Sequence, residues 1–255
     1  MPRTRLDAQL QEITTQVIQL GTFVDQALEQ SLQAIQTGDQ ALCGLVIISG
    51  TFIDDLRAQI NYGVFQSLTL QQPLGGRDLR FLSSVPSVVS DLERIASNSI
   101  GIARLLVRMA PLQGTERSHV AVEPVRSDQT EKDQPLTEQA ILDGILQLGQ
   151  EARLLLERTM NAFASDDSDG ARVIWQEDAM VDVCYQSVRN DIMTMLSGIH
   201  AISALEQDER VLQRLTYWLW IAHNLERVGD HCTNICERIV FIIKGDITIT
   251  SAGEH

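Results

Sequence analysis

The stretch Trp218-Leu-Trp-Ile-Ala-His-Asn-Leu-Glu-Arg-Val-Gly-Asp-His-Cys-Thr-Asn-Ile-Cys-Glu237 decides the fold. It has no proline, and Ile221, Leu225, Val228, Cys232, Ile235 and, just beyond it, Ile239 recur three or four residues apart. At about 100° per residue these six share one broad stripe of a helix. Glu226, Asp230 and Glu237 fall on a second stripe, with Thr233 between them and His223 and Asn234 at its edges. The spacing predicts one helix with an apolar spine and an acid ridge roughly opposite. Glu226 and Asp230 are four apart, so their carboxylates sit one above the other and repel. A bound cation would relieve that repulsion.

Working outward, the chain has 255 residues, enough for one large domain or two modest ones. Hydrophobic residues make up 44%, which supports a sizeable core, while aromatics at 5% favour helices over β-sandwiches. The net charge of −14 argues against nucleic acid as a partner and fits cations or a basic protein surface. The N-terminus has no apolar signal region, and no apolar run approaches the roughly 20 residues of a membrane span. A soluble, cytoplasmic protein that meets membranes only through partners is expected. The four cysteines suggest no disulfide framework. Cys232 and Cys236 could share a soft metal, but Cys232 lies on the apolar stripe and reads as a small core residue.

Helical periodicity runs through most of the chain. Leu10, Ile13, Val17, Leu20, Val24, Leu28 and Leu32 mark a first helix over about 6–36, ended by Thr37-Gly38-Asp39. A second runs to about Leu70, and Gln71-Gln-Pro-Leu-Gly-Gly76 breaks it. A third, about 78–109, carries Pro86 and is expected to kink there. Residues 111–135 read as a polar, proline-bearing linker, with His119 solvated. Helices four, five and six are predicted over about 136–165, 171–196 and from 206–209 to Lys244, with Asp166–Gly170 as a turn and Gly198 as a stop. The tail 247–255 is polar.

The halves repeat. Leu20-Gly21 matches Leu148-Gly149, Leu28-Glu29 matches Leu156-Glu157, and Ile53-Asp54 matches Val181-Asp182, all at an offset of 128 residues. Asp91-Leu-Glu-Arg-Ile95 matches Asn224-Leu-Glu-Arg-Val228 at an offset of 133. The constant order indicates an all-α protein of six helices, built as two tandem antiparallel three-helix bundles. The expected division is 1–110 for the first repeat, 111–135 for the linker, 136–246 for the second repeat and 247–255 for the tail.

Asn224-Leu-Glu-Arg-Val-Gly-Asp-His-Cys-Thr-Asn-Ile-Cys-Glu237 resembles the E-R-I-G-D-x-x-x-N-I signature of the PhoU family of phosphate-signalling proteins. Asp91-Leu-Glu-Arg-Ile-Ala-Ser-Asn-Ser-Ile100 resembles its first-half copy, and Gln71-Gln-Pro-Leu-Gly-Gly-Arg-Asp-Leu-Arg80 the family's Q-Q-P…D-L-R junction. The resemblance spans roughly residues 6–245. It implies a non-enzymatic negative regulator of the phosphate-starvation response. Such a protein would bridge the ATPase subunit of a phosphate ABC transporter and a sensor histidine kinase, plausibly as a homodimer.

The resemblance also implies metal where acidic pairs on the second and third helices of a half face each other. The matching residues are Asp178 and Asp182 with Glu226 and Asp230, a hard-oxygen set suited to iron, manganese, magnesium or zinc. Asn234, His223 and Glu177 are weaker candidates. In the first half Gly50 stands at the position of Asp178 and Ser97 at that of Asp230. Asp54 and Glu93 remain, with Asp55 and Asn98 nearby, so weak or absent metal is expected there. Against this, an acid stripe on a helix is ordinarily a solvated face. Two further readings compete. One is a carboxylate-bridged di-iron enzyme, whose Glu-x-x-His hallmark is missing. The other is a helical scaffold of another ion-transport system.

Overall fold

The computed structural model of the protein describes residues 2–70, 74–112, 121–122, 136–201 and 208–246. Six helices account for nearly all of them: α1 (Pro2–Thr37), α2 (Gln40–Leu70), α3 (Gly76–Met109), α4 (Glu138–Ala164), α5 (Ser168–Ala201) and α6 (Asp208–Lys244). The Gln71-Gln-Pro73 part of the junction, most of the expected linker with His119, and the tail lie outside the described residues.

The turns form where the sequence predicts them. Asp39 Oδ1 accepts from Ala41 N at 2.8 Å and starts α2; Asp167 Oδ1 accepts from Gly170 N at 2.8 Å and starts α5. The residues before these caps, Gly38 (φ 72°) and Asp166 (φ 55°), are both left-handed and are themselves 128 apart. Thr137 caps α4 by accepting from Ala140 N at 3.1 Å. One expectation differs: Gly198 does not end α5, which continues to Ala201. Pro86 lies inside α3 as expected; its ring removes one backbone donor, and the residues on either side stay helical. A 3-10 turn (Ala110–Leu112) follows α3, and a two-residue antiparallel bridge pairs β1 (Ala121–Val122) with β2 (Leu136–Thr137), inside and just after the expected linker.

Helices α1, α2 and α3 pack on one another, as do α4, α5 and α6, giving two three-helix bundles. The bundles meet chiefly along α3 and α6, and also along α1 and α4. The apolar spine of α6 is fully buried at Ile221, Leu225, Val228, Cys232 and Ile235, and the α3 residues Leu92, Ile95 and Ile102 are equally buried. They join one continuous core.

A pseudo-two-fold relates the bundles. Gly21 leaves room for Met160, and its repeat mate Gly149 leaves room for Leu32, the repeat mate of Met160. A β-carbon at either glycine would overlap the facing side chain, so each lets α1 and α4 approach closely. Beside them Arg153 donates to both oxygens of Asp25, at 2.8 and 3.0 Å, and to Glu29 Oε1 at 2.9 Å. At the far ends, Arg80 of α3 donates to the carbonyls of Ile242 and Ile243, while Arg214 of α6 donates to that of Leu112. Antiparallel packing of α3 on α6 thus satisfies helix-terminal carbonyls that would otherwise lack donors.

Candidate functional site

The acid ridge of α6 faces α5, and the reason is a small residue. Gly229 sits between Glu226 and Asp230 and is buried; a β-carbon there would overlap Asp178 Oδ1 and press on Val181 Cγ1. The missing side chain lets the Asp178 carboxylate into the seam between the helices. The competing reading of a wholly solvated ridge does not describe it: Asp178 and Glu226 are half-buried, whereas Asp182 is exposed. Burial pushes the Asp178 carboxyl up to about 6, and the charges of Asp182, Asp230 and Glu226 add to that rise. Burial and Asp230 raise Glu226 too, partly offset by His223. The four predicted acids are thus electrostatic neighbours.

They do not yet form a closed shell. Among the described residues, no three His, Cys, Asp or Glu side chains converge closely enough to hold a metal ion as they stand. Asp230 Oδ2 lies 3.4 Å from Arg227 Nη1 in an exposed pair. His223 Nδ1 lies 3.0 Å from Glu226 Oε2 and eases its repulsion from Asp230, yet this buried oxygen accepts no regular hydrogen bond among the described residues. An orphaned carboxylate oxygen among mutually repelling acids is what a cation would satisfy, and the donor set is all hard oxygen. Of the weaker candidates, His223 stays beside the cluster, with Tyr185 and Trp220 rings each 6.3 Å from its own. Glu177 is engaged by Arg158, and Asn234 turns to α3, donating to Asp91 Oδ1 at 3.3 Å.

The first half differs at each corresponding place. Ile100 Cδ1 occupies the space beside Gly50. Asp54 is exposed, 3.8 Å from Arg57 Nε. Ser97 donates to Glu93 Oε1 at 2.9 Å, satisfying that carboxylate locally. Asp55 is exposed, and the buried Asn98 Nδ2 has no partner among the described residues.

Cys232 and Cys236 are buried packing groups. Burial pushes the Cys236 thiol up to about 12 and that of Cys232 well above its usual value, despite a 3.7 Å contact between Cys236 Sγ and Thr159 Oγ1. Soft-metal binding needs thiolates, which this environment opposes. Trp218 is buried as expected of a packing residue, whereas Trp220 is 56% exposed.

With this geometry in view, the relationships of the chain are informative. The PhoU domain profile matches twice, over residues 17–106 and 145–239, once in each bundle. The chain belongs to the PhoU family. It is 27% identical to the phosphate-specific transport system accessory protein PhoU of Escherichia coli K12, over 94% of this chain and 86% of that one. It is 23% identical to the PhoU homolog of Clostridium acetobutylicum, over 96% and 97% respectively. Crystal structures of PhoU from Pseudomonas aeruginosa (TM-score 0.76, 22% identity, 94% of this chain and 99% of that one) and of the phosphate transport system regulatory protein PhoU from Streptococcus pneumoniae (0.73, 23%, 95% and 99%) share the fold.

The PhoU signature also builds a contact that sequence reasoning missed. His231, which lies off the acid ridge, is 5% exposed, with Nδ1 3.0 Å from Asp91 Oδ1 on α3. Asp91, His231 and Asn234 join the two bundles across the α3–α6 seam. Asp91 is the repeat mate of Asn224, which itself packs against Gly101, the repeat mate of Asn234. That double correspondence was the available signal.

Proposed function

We propose that this protein is a non-enzymatic, cytoplasmic regulator of phosphate uptake and phosphate-starvation signalling. On this reading it docks the ATPase subunit of a phosphate ABC transporter and a sensor histidine kinase and joins one to the other. The names of its relatives support the link to phosphate transport. One structural observation supports docking. The outer helices expose large apolar side chains at repeat-equivalent positions: Leu45 and Val173, Phe52 and Met180, Phe65 and Met193, each pair 128 apart and each residue 48–66% exposed. Apolar groups held outward at matched places on α2 and α5 suit two similar recognition faces, or the pairing of two copies as a homodimer. No helix among the described residues is long and apolar enough to cross a membrane, so on this reading the transporter is reached through such faces.

Co-purification with the two partners tests the reading. The wild type should capture both, and Phe52→Ser with Met180→Ser should weaken capture while helical content by circular dichroism stays the same. Failure to capture either partner would remove the adaptor role.

The same reading gives the α5–α6 seam a cation, with Asp178, Asp182, Glu226 and Asp230 supplying oxygens after modest side-chain rotation. Iron, manganese, magnesium and zinc are the candidates. When bound, the cation would cancel acid–acid repulsion and fasten α5 to α6. Glu226→Ala with Asp230→Ala is expected to leave the fold intact and abolish metal content by elemental analysis. Equal metal in the double variant would sink the assignment.

A further inference from the structure

The α3–α6 seam carries a second feature, on the Asp91–His231 side of the crossing. An open groove of about 530 Å³ runs between the helices there. Arg94 lines it from α3, and Arg227 and Arg238 from α6. Ser87 and Ser90 add hydroxyls. The opposing charge is Asp91, whose Oδ1 is already engaged by His231 and Asn234. Three guanidiniums therefore face one occupied carboxylate.

This concentration runs against the balance of the chain as a whole, where 34 acids outnumber 20 bases. Arg153, Arg158, Arg172 and Arg214 each have a carboxylate partner. Arg94 and Arg238 make no hydrogen bond or ion pair among the described residues. Arg227 shares only the exposed 3.4 Å contact with Asp230, which leaves most of its five N–H donors free. The repeat does not demand this arrangement. Arg94 and Arg227 are mates at an offset of 133, but the mate of Arg238 is Leu105 and that of Ser87 is Trp220. Arg238 is thus the basic residue that the pseudo-symmetry does not repeat on the other flank.

We propose that this groove binds a free anion of linked phosphate groups, gripped by Arg94, Arg227 and Arg238. Planar guanidinium forks match phosphate oxygens in paired hydrogen bonds. Arg227 and Arg238 stand three helical turns apart, about 16 Å along α6, which exceeds the reach of a single tetrahedral ion and suits a chain. Triphosphate can come from an inorganic chain or from a nucleotide. Polar groups and Pro86 dominate the lining; it holds no Phe, Tyr or Trp, and its one ring, His231, is 5% exposed and turned to Asp91, which leaves little face for a base to stack on and favours the inorganic chain. The inference does not depend on the docking reading; it touches the acid cluster only through the exposed Arg227–Asp230 contact.

Calorimetric titration of the full chain at low salt, with tripolyphosphate, orthophosphate, ATP and sulfate, tests it. Tripolyphosphate should bind, and ATP no tighter. Orthophosphate and sulfate should bind about tenfold more weakly or worse, having lost at least one charge-assisted contact. Arg94→Gln and Arg238→Gln should each weaken tripolyphosphate about tenfold, with Arg238→Lys recovering part of the loss. Arg104→Gln, on α3 outside the groove, should change nothing. Both groove arginines are exposed, so unchanged thermal melting is expected and would confirm that the fold survives. Absence of binding, equal binding by sulfate, or full affinity in the Arg94→Gln/Arg238→Gln double variant would overturn the proposal. Tighter binding of ATP would overturn the inorganic assignment in favour of a nucleotide.

Discussion

At Asp178 the second bundle buries a carboxylate against a glycine; at the equivalent place in the first bundle Gly50 leaves a gap that Ile100 fills. The backbone repeat is preserved while the chemistry at the seam is exchanged, acid for alkyl. Glu226 keeps a buried oxygen that accepts no regular hydrogen bond among the described residues, whereas Glu93 is satisfied by Ser97 one turn along the same helix. Asp182 stands exposed without an ion pair among the described residues, whereas Asp54 has Arg57 nearby. The lesson is that a duplicated fold separates what holds the bundle together from what makes it reactive. Core positions stay matched across the repeat, and the two seams have diverged.

The largest test of this separation concerns the matched core. Leu20 and Leu148 are repeat mates, and both are fully buried. Leu20→Ala and Leu148→Ala should each cost about 2–5 kcal/mol, the usual price of a core cavity. Urea denaturation of both variants is the measurement, and a near-neutral result for one alone would break the structural equivalence of the halves.

A smaller effect belongs to Asp178 and has no counterpart in the first bundle. In metal-free protein, burial and the neighbouring acids push its carboxyl up to about 6, above the ordinary aspartate value of 3.8. Between these values the unfolded chain ionises first, so the folded state holds more protons. Stability therefore falls as pH rises through that window and levels off above it. Allowing for its partial exposure, Asp178→Asn should stabilise the metal-free protein by about 1 kcal/mol at neutral pH and flatten the slope. Chemical denaturation on either side of the window reads this directly. An unchanged slope would show that the carboxylate is not strained in the seam.

The smallest effect is at the exposed acids. Asp54→Ala breaks a solvent-exposed pair at 3.8 Å and should shift stability by no more than about 0.5 kcal/mol. Asp182→Ala removes one of the charges that raise Asp178, so it should lower the Asp178 pKa as followed by NMR titration. The same titration in Asp54→Ala should leave Asp178 unmoved, and a shift there would mean the bundles are electrostatically joined.

Sequence alone determined the helices, their order and their caps, because periodicity, turn residues and the repeat all act within a few residues of where they are written. Asp39 caps α2 where the sequence offers it, Asp167 caps α5 within the predicted turn, and Asp166 takes the left-handed turn of its mate Gly38. Sequence also singled out Asp178, Asp182, Glu226 and Asp230 as candidates. The family resemblance implied that their pairs face each other; only the tertiary structure decided how deep each carboxylate sits, since a helical wheel shows which residues share a face and not how closely the next helix approaches it. The Asp91–His231 link spans 140 positions in the chain, and the arginine groove draws from both bundles. Such features arise from the docking of two amphipathic bundles, a long-range event that no local pattern records.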